Sequence, residues 1–220
     1  MTADRPPAGR ASGFRIRAYE RNDLPALYRI CLRTGDDGGD ASRLYDDPEL
    51  LGHVYVGPYA VLEPEHALVL TDPDGRACGY AVAALDTVAF HARVRERWLP
   101  PLRQRYPDPA GDPRLWTADE RLAHLLHHPD DAYPRTLPPA FEPYPSHLHI
   151  DLLPLAQGQG LGRSLIERLL ALLAADGSPG AHLGVSARNE RALGFYRHLG
   201  FMRLSETTGG TAVWMAKRLP

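Results

Sequence analysis

The chain has 220 residues, 44% of them hydrophobic and 24% charged, with a formal net charge of −2. That suffices for one core-burying globular domain, and it excludes low-complexity disorder and the basic footprint of a nucleic-acid binder. No apolar run reaches membrane-spanning length, and the polar start Met1-Thr-Ala-Asp-Arg-Pro-Pro7 lacks a signal-peptide core, so neither membrane nor nucleic acid is expected as a partner.

Residues 1–13, with Pro6, Pro7, Gly9 and Gly13, read as a disordered lead, leaving 14–220 for a single domain. Phe14-Arg-Ile-Arg-Ala18 alternates as a strand does. A helix follows, capped by Asn22 or Asp23, with Pro25 in its first turn. Leu24, Leu27, Tyr28, Ile30 and Cys31 mark its buried side, and it stops near Gly35. The acidic loop Gly35-Asp-Asp-Gly-Gly-Asp40 has a solvated turn as its simplest reading. A second helical segment starts near Pro48, with Leu50, Leu51, Val54 and Tyr55 facing inward. Ala67-Leu-Val-Leu70 and the run from Ala77 to Leu85 flank Asp72-Pro-Asp-Gly75, which makes a β-hairpin turned at Asp74-Gly75.

From Thr87 to Pro145 the pattern changes. A helix over Val88 to Arg105 sets Phe90, Val94, Trp98 and Leu102 on one face, and Thr117-Ala-Asp-Glu120 has capping-box spacing for a short helix through His127. The proline-rich stretch up to Pro145 carries Tyr133, Phe141 and Tyr144, which suit a packed covering element better than a free linker. Next, Leu148, Ile150 and Leu152 alternate with His147, His149 and Asp151 as a strand, and Leu161 through Leu173 reads as a helix. Ala181-His-Leu-Gly-Val-Ser186 is a short strand. Asn189 to Leu199 is a helix stopped by Gly200. Two closing strands, Phe201-Met-Arg-Leu204 and Thr211-Ala-Val-Trp-Met-Ala216, surround a Gly209-Gly210 turn.

Between the strand ending at Leu152 and the helix opening at Leu161 lies Gln157-Gly-Gln-Gly-Leu-Gly162. Glycine lets the backbone take unusual dihedrals and approach a ligand closely, while unpaired amides at a helix start favour an anion. The stretch therefore reads as a phosphate cradle. No Lys-Ser/Thr pair follows the glycines, as a nucleotide-binding P-loop requires, and no βαβ unit surrounds them, as a dinucleotide fold requires.

With both stretches placed, the chain resembles the GCN5-related N-acetyltransferase (GNAT) superfamily. Gln157-x-x-Gly160-x-Gly162 matches its cradle signature, and Asn189-x-x-Ala192-x-x-x-Tyr196-x-x-x-Gly200-Phe201 matches its second signature. Tyr28-Arg-Ile-Cys31, Cys78-Gly-Tyr-Ala81, Trp98-Leu-Pro100 and Asp151 are similar, more narrowly, to the acetyltransferase-like domain of O-GlcNAc hydrolases, over residues 14 to 219. That animal domain lacks the cradle glycines, which are intact here. No glycosidase domain accompanies the match, so hydrolysis is not expected.

The resemblance implies an α/β (α+β) GNAT fold: a mixed central sheet of about seven strands flanked by helices. It implies a splay between strands 147–152 and 181–186, with 87–145 as a helical insertion on the acceptor side. Acetyl-CoA would enter the gap as cosubstrate, with no metal. Its pyrophosphate would meet the cradle of Gln157, Gly158, Gln159, Gly160, Leu161 and Gly162, extended by Arg163 and Ser164. Main-chain groups of Leu152 and Leu153 would hold the pantetheine arm as an added strand does. Asn189 caps its helix and is also a candidate pantetheine contact. Tyr196 occupies the position of the tyrosine that protonates or hydrogen-bonds the departing sulfur.

For the base, His149 and Asp151 share one strand face, so that one can orient or tune the other; the plainer alternative is an exposed polar face. Asp36, Asp37 and Asp40 are further carboxylates, suited to a cationic acceptor. His124, His127 and His128 have helical spacing, but the sequence shows them no carboxylate or cysteine partner, and a solvated histidine-rich helix is the preferred reading. The function expected is transfer of acetyl to a small amine or a protein lysine, directly within a ternary complex, by a monomer or homodimer. The alternative is a non-catalytic acyl-CoA-binding or regulatory module. Cys31 and Cys78 make no disulfide pattern, which fits a reducing cytoplasm, and the near-exclusive use of arginine over lysine fits a GC-rich, bacterial source.

Overall fold

The computed structural model describes residues 13–206 and 210–220; all of the expected lead over 1–13 except Gly13, and the Gly209 side of the last turn, lie outside the described residues. Seven strands form one sheet: β1 (Arg15–Ala18), β2 (Ala67–Thr71), β3 (Ala77–Ala84), β4 (Ser146–Leu152), β5 (Gly180–Ser186), β6 (Met202–Glu206) and β7 (Ala212–Arg218). Their order is β1-β2-β3-β4-β5-β7-β6. Every neighbouring pair is antiparallel except β4 with β5, which is parallel. The helices are α1 (Leu24–Thr34), α2 (Leu50–Tyr55), α3 (Gly57–Leu62), α4 (Thr87–Arg93), α5 (Leu99–Arg105), α6 (Ala118–His127), α7 (Leu161–Ala175) and α8 (Glu190–His198).

The hairpin strands are apolar on both faces because both faces are covered. Val69, Tyr80, Val82 and Ala84 pack with residues of α1 to α6, whereas Leu68, Leu70, Ala81 and Ala83 pack with Leu165, Ile166, Leu169 and Leu173 of α7. Because strand side chains alternate, this register decides where the polar side of β4 goes. Ala84, Val82 and Tyr80 stand opposite His147, His149 and Asp151. The three polar side chains therefore enter the layer under α1, α3 and α4. His147 is only 8% exposed. The helical layer covers this face at His147 and leaves His149 and Asp151 half-buried, so the fully exposed polar face admitted by the alternation is not formed.

Three local expectations are corrected. The long helix from Val88 to Arg105 is broken by a π-helical turn over Val94–Trp98 between α4 and α5. Pro100 and Pro101 have no N–H to donate, and the wider turn carries the chain past them. Neither Asn22 nor Asp23 caps α1 with its side chain. Asp23 reaches back instead, accepting two bonds of 2.6 Å from the Arg17 guanidinium and one of 2.8 Å from Glu20 N. Tyr55 stays 40% exposed and lines a cleft, so it is not core. By contrast Thr117 and Glu120 form the expected capping box, and Tyr133 and Phe141 are buried as a packed cover requires.

A charged cluster fastens the turn before β2 to the end of α7. Buried Glu63 accepts from His66 Nδ1 at 3.1 Å and Leu85 N at 2.8 Å and pairs with Arg93, while His66 Nε2 donates to Asp176 at 2.8 Å. These partners, Glu63 first, raise the His66 pKa against the opposing effect of burial. A pKa raised on folding gives stability that is full below the unfolded value and is lost as pH rises through the folded one. In urea melts, the advantage of the wild type over His66→Gln is thus expected to be greatest below pH 6.5 and to shrink in alkali. A difference flat with pH would show that His66 is uncharged here.

Candidate active site

Strands β4 and β5 pair only at Ser146 with Ala181 and His147 with His182. Beyond those two pairs they diverge, which is the expected splay, and the fork opens into a cleft of about 870 Å³. That is within the roughly 300–1,000 Å³ of small-molecule sites. Leu148 to Leu152 form one wall, Gly184 to Ser186 the other, and Gly158, Gly160 and Gly162 lie at the wide end.

The cradle is built from backbone. Gly158 and Gly160 have φ of +74° and +77°, and a Cβ at either would meet no atom within 4 Å, so open space lies above both. The first hydrogen bond of α7 is donated by Ser164 N to Gly160 O at 3.2 Å, which leaves the amides from Gly158 to Arg163 ahead of it for an anion. A Cβ on Gly162 would lie 3.4 Å from Phe195 and 3.5 Å from Leu152, which is ordinary packing distance, so the helix start sits directly against β4 and α8. Gln157 braces the loop, its Nε2 donating to Leu152 O and its Oε1 accepting from Arg191, both at 2.7 Å. Arg191, not singled out in the sequence, adds a cation to the cleft wall.

Several expected contacts need correction. Leu153 N donates to Cys78 O and Leu153 O accepts from Ala156 N, both at 2.9 Å, so neither main-chain group of Leu153 is left for pantetheine. In an antiparallel pair successive residues turn their N–H and C=O to opposite sides. With Leu153 bonded toward β3, the main-chain groups of Ile150 and Leu152 face the gap, and since Leu152 O is taken by Gln157 Nε2, both groups of Ile150 and the N–H of Leu152 are the ones turned to it. Ser164 has its amide in the helix and does not line the cleft. Gln159 folds its side chain onto Leu155 O at 2.7 Å, and neither Gln159 nor Leu161 is in the cleft lining. Arg163 lines the cleft while paired with Glu167 at 2.7 Å. Asn189 caps α8 through Ala192 N at 3.0 Å, and its Nδ2 donates to Asp37 O at 3.0 Å.

The acidic loop is less open than its composition implies. Asp37 borders the cleft but pairs with Arg188 at 2.9 Å, Asp40 accepts from Ser42 N at 2.9 Å, and neither Asp36 nor Asp40 is in the lining. Asp108 lies between His124 Nδ1 and His128 Nε2, at 2.9 and 2.7 Å, and is the carboxylate partner the sequence did not reveal; His127 turns away onto Tyr106 O. Neither Asp108 nor any of these three histidines lines the cleft.

Asp151, His149 and Tyr196 do come together in the cleft lining. Burial lifts the Asp151 pKa to about 6, against hydrogen bonds from Tyr80 and Thr34 that favour the carboxylate. Burial, with His182 nearby, lowers His149 to about 4. Tyr196 is 8% exposed, and burial together with the Asp151 charge raises its pKa, so the phenol keeps its proton. Behind His149 sits an aromatic cluster that the sequence order hides. His147 lies 5.3 Å from His91, 6.2 Å from His149 and 5.7 Å from His182, ring centre to ring centre. Only the fold brings these four histidines together.

A mixed sheet forked between two parallel strands, with a glycine turn and a helix start at its open end, is the architecture of an acetyl-CoA-dependent acyltransferase. The profile of the acetyltransferase (GNAT) family matches residues 114–201. The solved structure of SsHAT is 38% identical to this chain, covers 94% of it and is itself covered over 98%, with a TM-score of 0.85. The chain belongs to the acetyltransferase (GNAT) family. It is also 31% identical over 196 residues to protein O-GlcNAcase of Rattus norvegicus and of Mus musculus, a match spanning 89% of the chain but only 21% of those proteins. A phosphinothricin acetyltransferase from Sinorhizobium meliloti, solved in complex with AcCoA, shares the fold at 15% identity and a TM-score of 0.56, covering 94% of this chain and 89% of its own. Among the described residues no helix is long and apolar enough to cross a membrane.

Proposed function

We propose that residues 14–220 form one acetyltransferase domain that moves acetyl from acetyl-CoA to the nitrogen of an amine, either a small amine or a protein lysine, by direct attack in a ternary complex. The observation that carries this reading is the presence of Asp151, His149 and Tyr196 in the same cleft as the glycine cradle. Acetyl-CoA supplies the acetyl group as a thioester. The cradle amides and Arg191 suit its pyrophosphate, and the main-chain groups of Ile150 with the N–H of Leu152 suit the pantetheine arm.

Transfer needs a neutral amine, so a group in the site must take a proton from the ammonium form. Asp151, at about 6, is ionised at neutral pH and near enough to it to serve as base. His149, at about 4, is the weaker base and suits the role of a neutral acceptor that orients the amine. As nitrogen bonds to the carbonyl carbon the carbon–sulfur bond breaks; the Tyr196 hydroxyl donates to the departing sulfur and regains a proton from the acetylated nitrogen, which leaves as the neutral amide. Screening amines for release of free CoA thiol tests the activity, and binding of acetyl-CoA with no transfer to any amine would favour the non-catalytic module. With an acceptor in hand, Tyr196→Phe is expected to lower kcat by roughly 100-fold with little change in acetyl-CoA affinity. Unchanged kcat would remove Tyr196 from the mechanism.

A further inference from the structure

We infer that Tyr59, His147 and Thr87 are positioning residues that lock His149 in the tautomer carrying its proton on Nε2, so that its Nδ1 lone pair is held for an N–H of the acceptor. The inference rests on the acceptor-side role proposed above for His149. It follows from assigning each proton in turn, beginning at a group that has none to give.

Pro145 O is a carbonyl and can only accept. Thr87 Oγ1 lies 2.6 Å from it, so the threonine hydroxyl proton sits in that contact. Thr87 N donates to the same oxygen at 2.9 Å and holds it in place. Having no second proton, Thr87 Oγ1 must accept in its 2.8 Å contact with His147 Nδ1, which fixes the proton of His147 on Nδ1. His147 is neutral, because burial and the neighbouring histidines hold its pKa well below the ordinary value. Its Nε2 is therefore bare and accepts from the Tyr59 hydroxyl at 2.6 Å. Tyr59 has then used its one proton. The remaining contact, Tyr59 Oη to His149 Nε2 at 3.0 Å, takes its proton from His149.

Reversing any link leaves one contact with two protons or with none, and water cannot readily compensate in so dry a place. Tyr59 is 3% exposed, Thr87 2% and His147 8%. Tyr59 also stacks on Phe90 at 4.5 Å, which sets the plane of its ring. His149 itself lines the cleft, so the nitrogen not held by Tyr59 is the one available to a ligand. The row ends on a carbonyl with no exchangeable proton, so it orients His149 and does not carry protons away. An acceptor that presents a donor hydrogen at this point is favoured over one that presents a lone pair.

The test is long-range ¹H–¹⁵N NMR of histidine-labelled full chain at neutral pH, without cofactor. In the wild type, His149 should show a protonated Nε2 and a bare Nδ1, and His147 the reverse. Thr87→Val, which removes a group that does not touch His149, should move His149 to a mixture of tautomers; Thr87→Ser should restore the wild-type state. Tyr59→Phe should have the same effect as Thr87→Val while keeping the stacked ring, and both should lower kcat/KM for the acceptor by roughly tenfold with acetyl-CoA affinity unchanged. A proton on Nδ1 of wild-type His149, or a His149 signal indifferent to Thr87→Val, overturns the inference. The expected tautomers in a protein that transfers acetyl to no amine overturn the proposed function alone, since the NMR needs neither substrate.

Discussion

Gly160→Glu is expected to abolish acetyl-CoA binding while the protein stays folded. Gly160 is the N-cap of α7 at φ +77°, where an L-residue is strained by about 1–2 kcal/mol. That strain lowers Tm by only a few degrees, about 2–4 °C per kcal/mol for a domain of this size. Binding suffers more, because the new carboxylate sits beside the amides meant for the pyrophosphate and competes for the positive end of the helix. A hydrogen bond to a charged group is worth about 1.5–3 kcal/mol, so losing two weakens binding by on the order of 100-fold or more. Gly160→Ala carries the backbone strain without the charge and should lose about tenfold or less. Calorimetry with acetyl-CoA separates the three proteins. Failure of the intact chain to bind, or equal binding by the glutamate variant, would remove the cradle from the reading.

Asp151→Asn is expected to cost transfer about 10²–10⁴-fold at neutral pH and at the same time to stabilise the protein. Its folded pKa is raised from 3.8 to about 6, chiefly by burial. Between those values the unfolded chain releases the proton that the folded one keeps, so stability falls as pH rises through the window, and the full cost of the buried carboxylate is present above about 6. At about 1.4 kcal/mol per pKa unit the cost is up to about 3 kcal/mol. Asparagine still accepts from Tyr80 and carries no charge. Its Tm should therefore exceed that of the wild type at pH 7.5 and converge with it near pH 4. The limb of kcat/KM near pH 6 should vanish with the carboxylate. A destabilised asparagine variant that still transfers acetyl would show that Asp151 is neither strained nor the base. Stability surrendered at one buried group is the expected mark of a site kept for chemistry.

Much of this was legible in the residues because the physics that places it is local. The cradle is a backbone device: glycines at positive φ between a strand and a helix write themselves into the chain as Gly158 and Gly160. The capping box at Thr117, the hairpin turn at Gly75 and the cap at Asn189 are also short-range, each settled within a few residues. Period-two alternation likewise showed that His149 and Asp151 share a face. It did not show that the face is buried. That depends on the helices laid across β4, and their burial makes Asp151 a weak acid and His149 a weak base.

Two kinds of feature came only with the tertiary structure. One is hydrogen-bond direction across the sheet: whether Leu153 or Ile150 faces the gap depends on which residues of β4 bond to β3, and no single-chain pattern carries that. The other is company at long range. Tyr59 and His147 meet across 88 residues of sequence and Thr87 joins them, and the fold likewise brings together Asp37 with Arg188 and Asp108 with His124. By itself the sequence determined a glycine turn at positive φ that begins after Gln157 and opens a helix, because backbone conformation is a short-range property. Which groups line the cleft beside it, and in what protonation state, was decided only when distant segments packed together, because desolvation and proton sharing belong to neighbours in space.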